Sequence, residues 1–353
     1  MKIKNVEIVN YRNFDKCEME LADFNVLIGK NGTGKSNFLN AIMLPLRGHD
    51  LSGDPFLPIK DARDISKETK INLSATLSEI EVSSLPKAYS NSSTSGVTNL
   101  SYLFTGKENS ISTIQVDRMP KNGHSPNINV TIIRNTQITI RSSVEGDILN
   151  ATNVYGLRDS REIPNTFVPR EIKNPSNFDS SNALLYMKLN YREKYDNLIR
   201  NVKSLIPEIE DLPIAIEQNL AGISFIETDV NKVIGSPNIS KGFREILILL
   251  ITLEFSPEQS LILIEEPEAH LHGSAITSIK NLILEYIGNK GIQVIIATHS
   301  PLFLEGLYPS QNKQIKFFEF KKQNGITEVN DLIDEEAISN IPLSMGYNNE
   351  SKT

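Results

Sequence analysis

A short apolar run, Phe24-Asn25-Val26-Leu27-Ile28, leads directly into Gly29-Lys30-Asn31-Gly32-Thr33-Gly34-Lys35-Ser36, and then into a stretch with apolar residues at 38, 39, 42, 43 and 46. The first segment has the make-up of a buried strand and the last has helical spacing. The glycines therefore sit where a strand hands the chain to a helix, which is the order a phosphate-binding loop requires. The loop matches G-x-x-x-x-G-K-[ST] in full. Its glycines let backbone N–H groups turn inward around phosphate oxygens. Lys35 can reach the β- and γ-phosphates and the Ser36 hydroxyl can coordinate Mg²⁺. The helix that follows aims its positive end at the same charge. Asn31, Gly32, Thr33, Gly34, Lys35, Ser36 and Asn37 are the expected nucleotide-binding set, with ATP and Mg²⁺ as cofactors.

Three further stretches fit this chemistry. Leu261-Ile262-Leu263-Ile264 delivers two carboxylates, Glu265 and Glu266, ahead of Pro267-Glu268-Ala269-His270-Leu271-His272. Glu265 is expected to hold Mg²⁺, and Glu266 to orient and polarise the attacking water. Taken alone, the pattern reads as a core strand ending in a solvated acidic turn. Val294-Ile295-Ile296-Ala297 ends a second apolar strand at Thr298-His299-Ser300-Pro301, where His299 is expected to sense the γ-phosphate. On its own such a histidine reads as structural. Ile239-Ser240-Lys241-Gly242-Phe243-Arg244-Glu245 heads an apolar helix. Ser240 suits an N-cap, and Ser240 with the Gly242 backbone is also expected to bind the γ-phosphate of a facing subunit. His270 and His272 match zinc spacings poorly, which leaves Ser36 and Glu265 as the expected metal ligands.

Around these motifs the texture of the chain changes. Ile3, Val6, Ile8 and Val9 mark an opening strand that ends near Asn10-Tyr11-Arg12-Asn13-Phe14, and 16–21 reads as a second strand. From 48 to 178 Ser, Asn, Thr and Pro are abundant, with β-like runs at 71–77, 128–133 and 137–140 and a flexible loop at 90–98. Residues 179–235 read as a helical segment, clearest at 182–204 and broken by Pro207 and Pro213. It is too short for a long coiled coil. A helix at 243–255, a strand at 260–264, a helix at 275–287 and a strand at 293–297 then argue for a parallel, helix-flanked sheet. Residues 321–353 read as a tail, with the acidic stretch 331–336 as a solvated helix start.

Composition narrows the setting. At 39% hydrophobic and 22% charged, the 353 residues can build a sizeable core. No apolar run approaches the roughly 20 residues that span a bilayer. Met1-Lys2-Ile3-Lys4-Asn5 lacks the features of a secretory signal, and the single Cys17 suits a reducing compartment. The expected location is cytoplasmic, with no membrane partner. A net charge of −7 argues against a surface coated in positive potential, the simplest footprint of nucleic-acid binding. Arg158 and Arg161 read equally as phosphate contacts and as surface ion-pair partners.

Together, Gly29 to Ser36, Ser240 to Glu245, Ile264 to His272 and Thr298 to Pro301 resemble the ABC ATPase superfamily. The closer likeness is to the branch of RecF-type repair ATPases and OLD (overcoming lysogenization defect) nucleases. It lies in Glu265 to His272, Ala297 to Pro301 and the Asn10 to Phe14 segment. The resemblance implies an α/β fold, an ABC-type P-loop ATPase head with a β-rich insertion and a short helical subdomain. Residues 1–353 are then expected to form a single domain. Its parts are a P-loop lobe (1–47), the insertion (48–178), the helical segment (179–235), a signature/Walker B/switch lobe (236–320) and the tail. It also implies a homodimer, or a higher even-numbered oligomer, with ATP sandwiched between one chain's P-loop and the other's signature serine. Glu265 and His272 stand where ABC transporters usually carry Asp, and no Gln occurs between Ser36 and Gln115 to serve as a Q-loop. OLD nucleases continue into a Toprim domain, for which this chain stops too soon. The expected role is a regulatory ATPase acting on a separate nuclease or toxin effector in antiphage defence. The alternatives are a RecF-like ATPase that binds DNA directly and the isolated ATPase part of an OLD-family nuclease.

Overall fold

The computed structural model describes residues 2–47, 58–64, 66–67, 69–76, 97–104, 111–118, 127–133, 154–157, 166–167, 180–207, 209–217, 220–227, 233–235, 241–256, 258, 260–269, 271–304, 307 and 314–332. They fall into two compact units: 1–156 with 258–265 and 290–353, and 157–257 with 266–289.

The first unit holds two sheets. β1 (Lys2–Tyr11) and β2 (Phe14–Glu20) form an antiparallel hairpin. β4 (Thr69–Thr76), β5 (Val97–Phe104), β6 (Ile111–Arg118) and β7 (Asn127–Ile133) extend it in the order β2-β1-β4-β5-β6-β7. The β-like stretch beyond residue 48 is thus hydrogen-bonded directly onto the opening strand. In the second sheet, β3 (Phe24–Ile28) lies between β15 (Gln293–Thr298) and β16 (Ile315–Gln323), parallel to both. β14 (Leu261–Glu265) pairs in parallel with β15, β17 (Ile326–Leu332) pairs antiparallel with β16, and β8 (Val154–Leu157) closes the far edge. Strands β3 and β15 are buried along their whole length, which explains their largely apolar composition.

Helix α1 (Lys35–Arg47) packs against β1 and β4 of one sheet and β15 of the other. Its Phe38, Leu39 and Ile42 are fully buried, as helical spacing requires of a core-facing stripe. The short α2 (Pro58–Asp61) and α7 (Pro301–Leu304) complete this unit. The side-chain amide of Gln293 ties the two sheets together. It accepts from Ile3 N–H at 2.7 Å and donates to the carbonyls of Ile3 and Ala22 at 2.7 and 2.8 Å. Ile3 is available because the β1–β4 register shifts between Ile3 and Asn5.

The second unit has two helices, α3 (Ser180–Asn190) and α4 (Arg192–Leu205), followed by strands. β12 (Leu220–Glu227) is its hub, pairing with β9 (Thr166–Phe167), β10 (Ile209–Asp211), β11 (Ile214–Glu217) and β13 (Val233–Gly235). α4 buries Tyr195, Leu198 and Val202, and the Tyr195 hydroxyl donates to the Leu212 carbonyl at 3.0 Å. α5 (Lys241–Phe255) and α6 (Gly273–Lys290) are joined through the Tyr286 hydroxyl, which donates to buried Glu254 and accepts from Asn201 of α4 at 3.3 Å. No helix among the described residues is long and apolar enough to cross a membrane.

Three sequence expectations differ from these elements. Ile209–Asp211, Ile214–Glu217, Leu220–Glu227 and Val233–Gly235, taken as part of a helical segment, are strands; Pro207 follows the last helix and β-branched Ile and Val recur after it. Residues 97–98, assigned to a flexible loop, open β5. The stretch 321–332, read as tail and helix start, is a β-hairpin. Its turn residues, Asn324 (φ 50°) and Gly325 (φ 78°), are both left-handed, the backbone that Asn-Gly supplies in two-residue hairpin turns. The expected strand at 137–140 lies outside the described residues.

Cys17 faces the core from β2 and is 6% exposed. Burial, helped by the neighbouring Glu18 charge, pushes its thiol up to about 12. In the native protein at pH 8, Cys17 is expected to react with an aromatic disulfide reagent at least about a thousandfold more slowly than a free thiol. Guanidinium chloride beyond the unfolding midpoint should remove the difference. Fast labelling of the native protein would show that β2 does not hold Cys17 in the core.

Candidate nucleotide-binding site

The parallel register lines up the ends of three strands. Thr298 of β15 pairs with Ile28 of β3, and Glu265 of β14 with Ala297 of β15. The loop after Ile28, His299 after Thr298 and Glu265 itself therefore meet at the carboxyl edge of one sheet, where open α/β sheets bind ligands.

The loop is braced from within and from outside. Thr33 donates its N–H and its hydroxyl to the Lys30 carbonyl at 3.3 and 2.8 Å. The Lys35 ammonium, 6% exposed, donates to the Gly29 and Lys30 carbonyls at 2.6 and 3.1 Å. Outside the loop, the Thr33 carbonyl accepts from the Thr327 hydroxyl at 2.6 Å and from Asn13 Nδ2 at 3.3 Å. Asn13 Nδ2 also donates to Thr327 Oγ1, and the Thr327 N–H donates to the Asn13 carbonyl at 2.8 Å. Asn37, just after Ser36, donates to Asn13 Oδ1 at 2.6 Å and accepts from Arg12 Nη1 at 3.1 Å. Arg12 Nε donates to buried Asp61 at 2.8 Å, which compensates that carboxylate's burial. A cleft of about 410 Å³ runs between Ile28–Thr33 and Glu319–Gln323.

Gly34 (φ 111°) is the tightest point. A Cβ there would collide with Asn13 Nδ2 and lie 2.7 Å from Thr327 Oγ1. At Gly32 (φ 77°) a Cβ would meet nothing within 4 Å, so the crest of the loop is open. The donors fit a magnesium nucleotide: N–H groups and an ammonium for phosphate oxygens, a hydroxyl and a carboxylate as hard oxygen ligands for Mg²⁺.

Lys35, Ser36, Glu265 and His299 belong to the first unit, and Glu266 and Gly242 to the second. Glu266 has φ 49°, a conformation that costs a non-glycine residue about 1–2 kcal/mol. Its carbonyl accepts from Ala269 N–H at 3.0 Å in the turn that leads to α6. Gly242 is buried in the first turn of α5. Ser240, His270, Arg158 and Arg161 lie outside the described residues. Sequence reasoning missed Thr327 and Asp61 and gave Arg12 and Asn13 no role beyond family likeness. The Asn324-Gly325 dipeptide was the available signal for the hairpin that carries Thr327.

A strand–loop–helix phosphate cradle at the edge of a parallel sheet, with carboxylate and histidine strands beside it, defines an ABC-type P-loop ATPase head. The chain belongs to the family described as "AAA domain, putative AbiEii toxin, Type IV TA system", which matches residues 24–305. It is related to RecF and to the OLD-family nucleases. It is 42% identical over 45 residues to the DNA replication and repair protein RecF of Clostridioides difficile (strain 630), covering 12% of each chain. It is 37% identical over 70 residues to RecF of Bacillus subtilis (strain 168), 19% of each. To endonuclease GajA of Bacillus cereus (strain VD045) it is 48% identical over 42 residues, 12% of this chain and 7% of that one. The matches thus span less than a fifth of these relatives' lengths. The fold is that of an Smc head. The Smc head bound to the C-terminal winged-helix domain of ScpA aligns with a TM-score of 0.61 at 15% identity, over 96% of this chain and 100% of that one. The Pyrococcus furiosus Smc head with an extended coiled coil aligns with a TM-score of 0.61 at 13% identity, over 97% and 99%.

The two glycines predict different outcomes on substitution. Gly34→Ala combines left-handed backbone with a steric clash and is expected to cost about 2–4 kcal/mol and to abolish nucleotide binding. Gly32→Ala carries the backbone cost alone, about 1–2 kcal/mol. Urea unfolding of both variants measures this; equal destabilisation would contradict the packing described at Gly34.

Proposed function

We propose that this chain is an ATP-hydrolysing ABC-class ATPase that sandwiches ATP between two copies of itself and so controls a separate effector protein, a nuclease or toxin of antiphage defence. The convergence of the Gly29–Ser36 loop, Glu265 and His299 at one sheet edge carries this reading. Lys35 and the N–H groups of residues 31–37 bind the phosphates, and Ser36 and Glu265 hold Mg²⁺. Bound Mg²⁺ neutralises charge on the transferring phosphoryl group. Glu266 orients the attacking water and His299 contacts the γ-phosphate. Ser240 and the Gly242 backbone serve the γ-phosphate held by the facing copy. A toxin in the family's description and the likeness to an endonuclease support the effector.

A second reading, direct DNA binding of RecF type, draws on one observation. A cleft of about 640 Å³ beside the β1–β2 turn is lined by four cations, Arg12, Lys60, Arg63 and Lys67, against Asp15 and Asp64. A third reading, the ATPase part of an OLD-family nuclease, draws on the likeness to GajA.

Lys35→Ala is expected to abolish ATP binding. Glu266→Gln should bind ATP within about threefold of the parent and hydrolyse it at least about a hundredfold more slowly. Calorimetry and phosphate release measure both, and undiminished turnover in Glu266→Gln removes that residue as the base. Affinity purification of tagged Glu266→Gln with ATP and Mg²⁺ should recover a stoichiometric effector. Recovery of DNA alone would move the assignment to the second reading. In that case Lys60→Glu/Arg63→Glu/Lys67→Glu should weaken DNA binding and lower the log–log salt slope by about 2–3.

A further inference from the structure

We propose that Thr327 is a positioning residue for the nucleotide phosphates. With Asn13, it sets the direction of the Gly34 N–H. The proposal rests on the ATP reading above and adds Thr327, which lies in none of the motifs, acting with Asn13 of the opening segment. The Thr33 carbonyl takes two donors, the Thr327 hydroxyl at 2.6 Å and Asn13 Nδ2 at 3.3 Å, both from residues outside the Gly29–Ser36 loop. The Thr33–Gly34 peptide is planar and trans, so its N–H points opposite to its carbonyl. Holding the carbonyl against Asn13 and Thr327 turns the Gly34 N–H away from that brace, to join the N–H groups that the ATP reading assigns to the phosphates. A free loop could rotate this peptide at little cost, because glycine follows.

The pin is itself held at both ends. Thr327 is 2% exposed, its N–H bonds to the Asn13 carbonyl at 2.8 Å, and its hairpin partner is Lys322. The Asn13 carboxamide is fixed by Asn37 at 2.6 Å. Valine would pack in the same volume, and a buried hydroxyl costs stability unless its hydrogen bonds are made. Here both are made: the hydroxyl donates to Thr33 and accepts from Asn13. Any side chain at 34 would push this pair apart, which ties the glycine requirement to the brace.

The test compares Thr327→Val, Thr327→Ser and the parent, each shown folded by circular dichroism melting. ATP binding is read with a fluorescent ATP analogue. Thr327→Val is expected to bind about tenfold more weakly, with turnover at saturating ATP within about twofold, and Thr327→Ser to return within about threefold of the parent. Carbonyl-¹³C threonine with ¹⁵N glycine leaves two amides visible, Thr33–Gly34 and Thr105–Gly106. Only the first should shift on adding ATP, and Thr327→Val should reduce that shift. Unchanged affinity in folded Thr327→Val overturns the proposal. If Thr327→Val does not fold, Asn13→Ser carries the test: a severalfold loss supports the proposal and parental affinity overturns it. A parent protein that binds ATP no better than Lys35→Ala overturns the ATP reading, and the proposal with it.

Discussion

Phe38 sits one turn into α1, fully buried, with the rings of Phe14 and Phe320 edge-on to it at 6.5 and 5.8 Å. Phe14 belongs to β2 and Phe320 to β16, so the trio joins both sheets of the first unit through the helix between them. Each ring contributes about 1.5–3 kcal/mol by leaving water, with a further 0.5–1.5 kcal/mol from each edge-to-face pair. The helix so anchored begins at Lys35. Its first turn, and therefore the direction in which its N–H groups and dipole point, is set by apolar packing. The direction in which the helix start faces the loop is a consequence of where Phe38 is held.

Polar contacts then refine what packing has placed. Around the loop Asn13, Thr33, Asp61 and Thr327 are all nearly inaccessible, and every one is hydrogen-bonded. Such groups add little net stability when paired and cost about 1–3 kcal/mol each when stranded. Their effect is to penalise other loop conformations. Gln293 acts the same way between the sheets, where a single amide satisfies both backbone groups of Ile3, at the irregularity in the β1–β4 ladder, and the Ala22 carbonyl.

Much of this was legible in the chain. The loop and its flanking strand and helix lie in one local stretch, and local order is what periodicity reports. The strands ending at Glu265 and Thr298 were readable because burial on both faces leaves continuous apolar runs. The second unit was harder: Ile214–Glu217 and Leu220–Glu227 follow a helical stretch, and a short apolar run does not declare its period. Thr327 was invisible for another reason. Its partner Thr33 is 294 positions away, and nothing local in Ile326-Thr327-Glu328 differs from any exposed hairpin. The same distance hides Gln293 and Ile3, 290 positions apart.

That separation has a bearing on biosynthesis. At the usual 5–20 residues per second, a nascent chain carries Gly29–Ser36 for roughly 15–60 s before Thr327 has been translated. For most of that interval β3 also lacks both of its neighbours, because β15 begins only at Gln293 and β16 at Ile315. The loop is therefore encoded long before the strands and the hydroxyl that brace it, and a partly translated copy on the ribosome lacks the contacts that hold its cradle in shape.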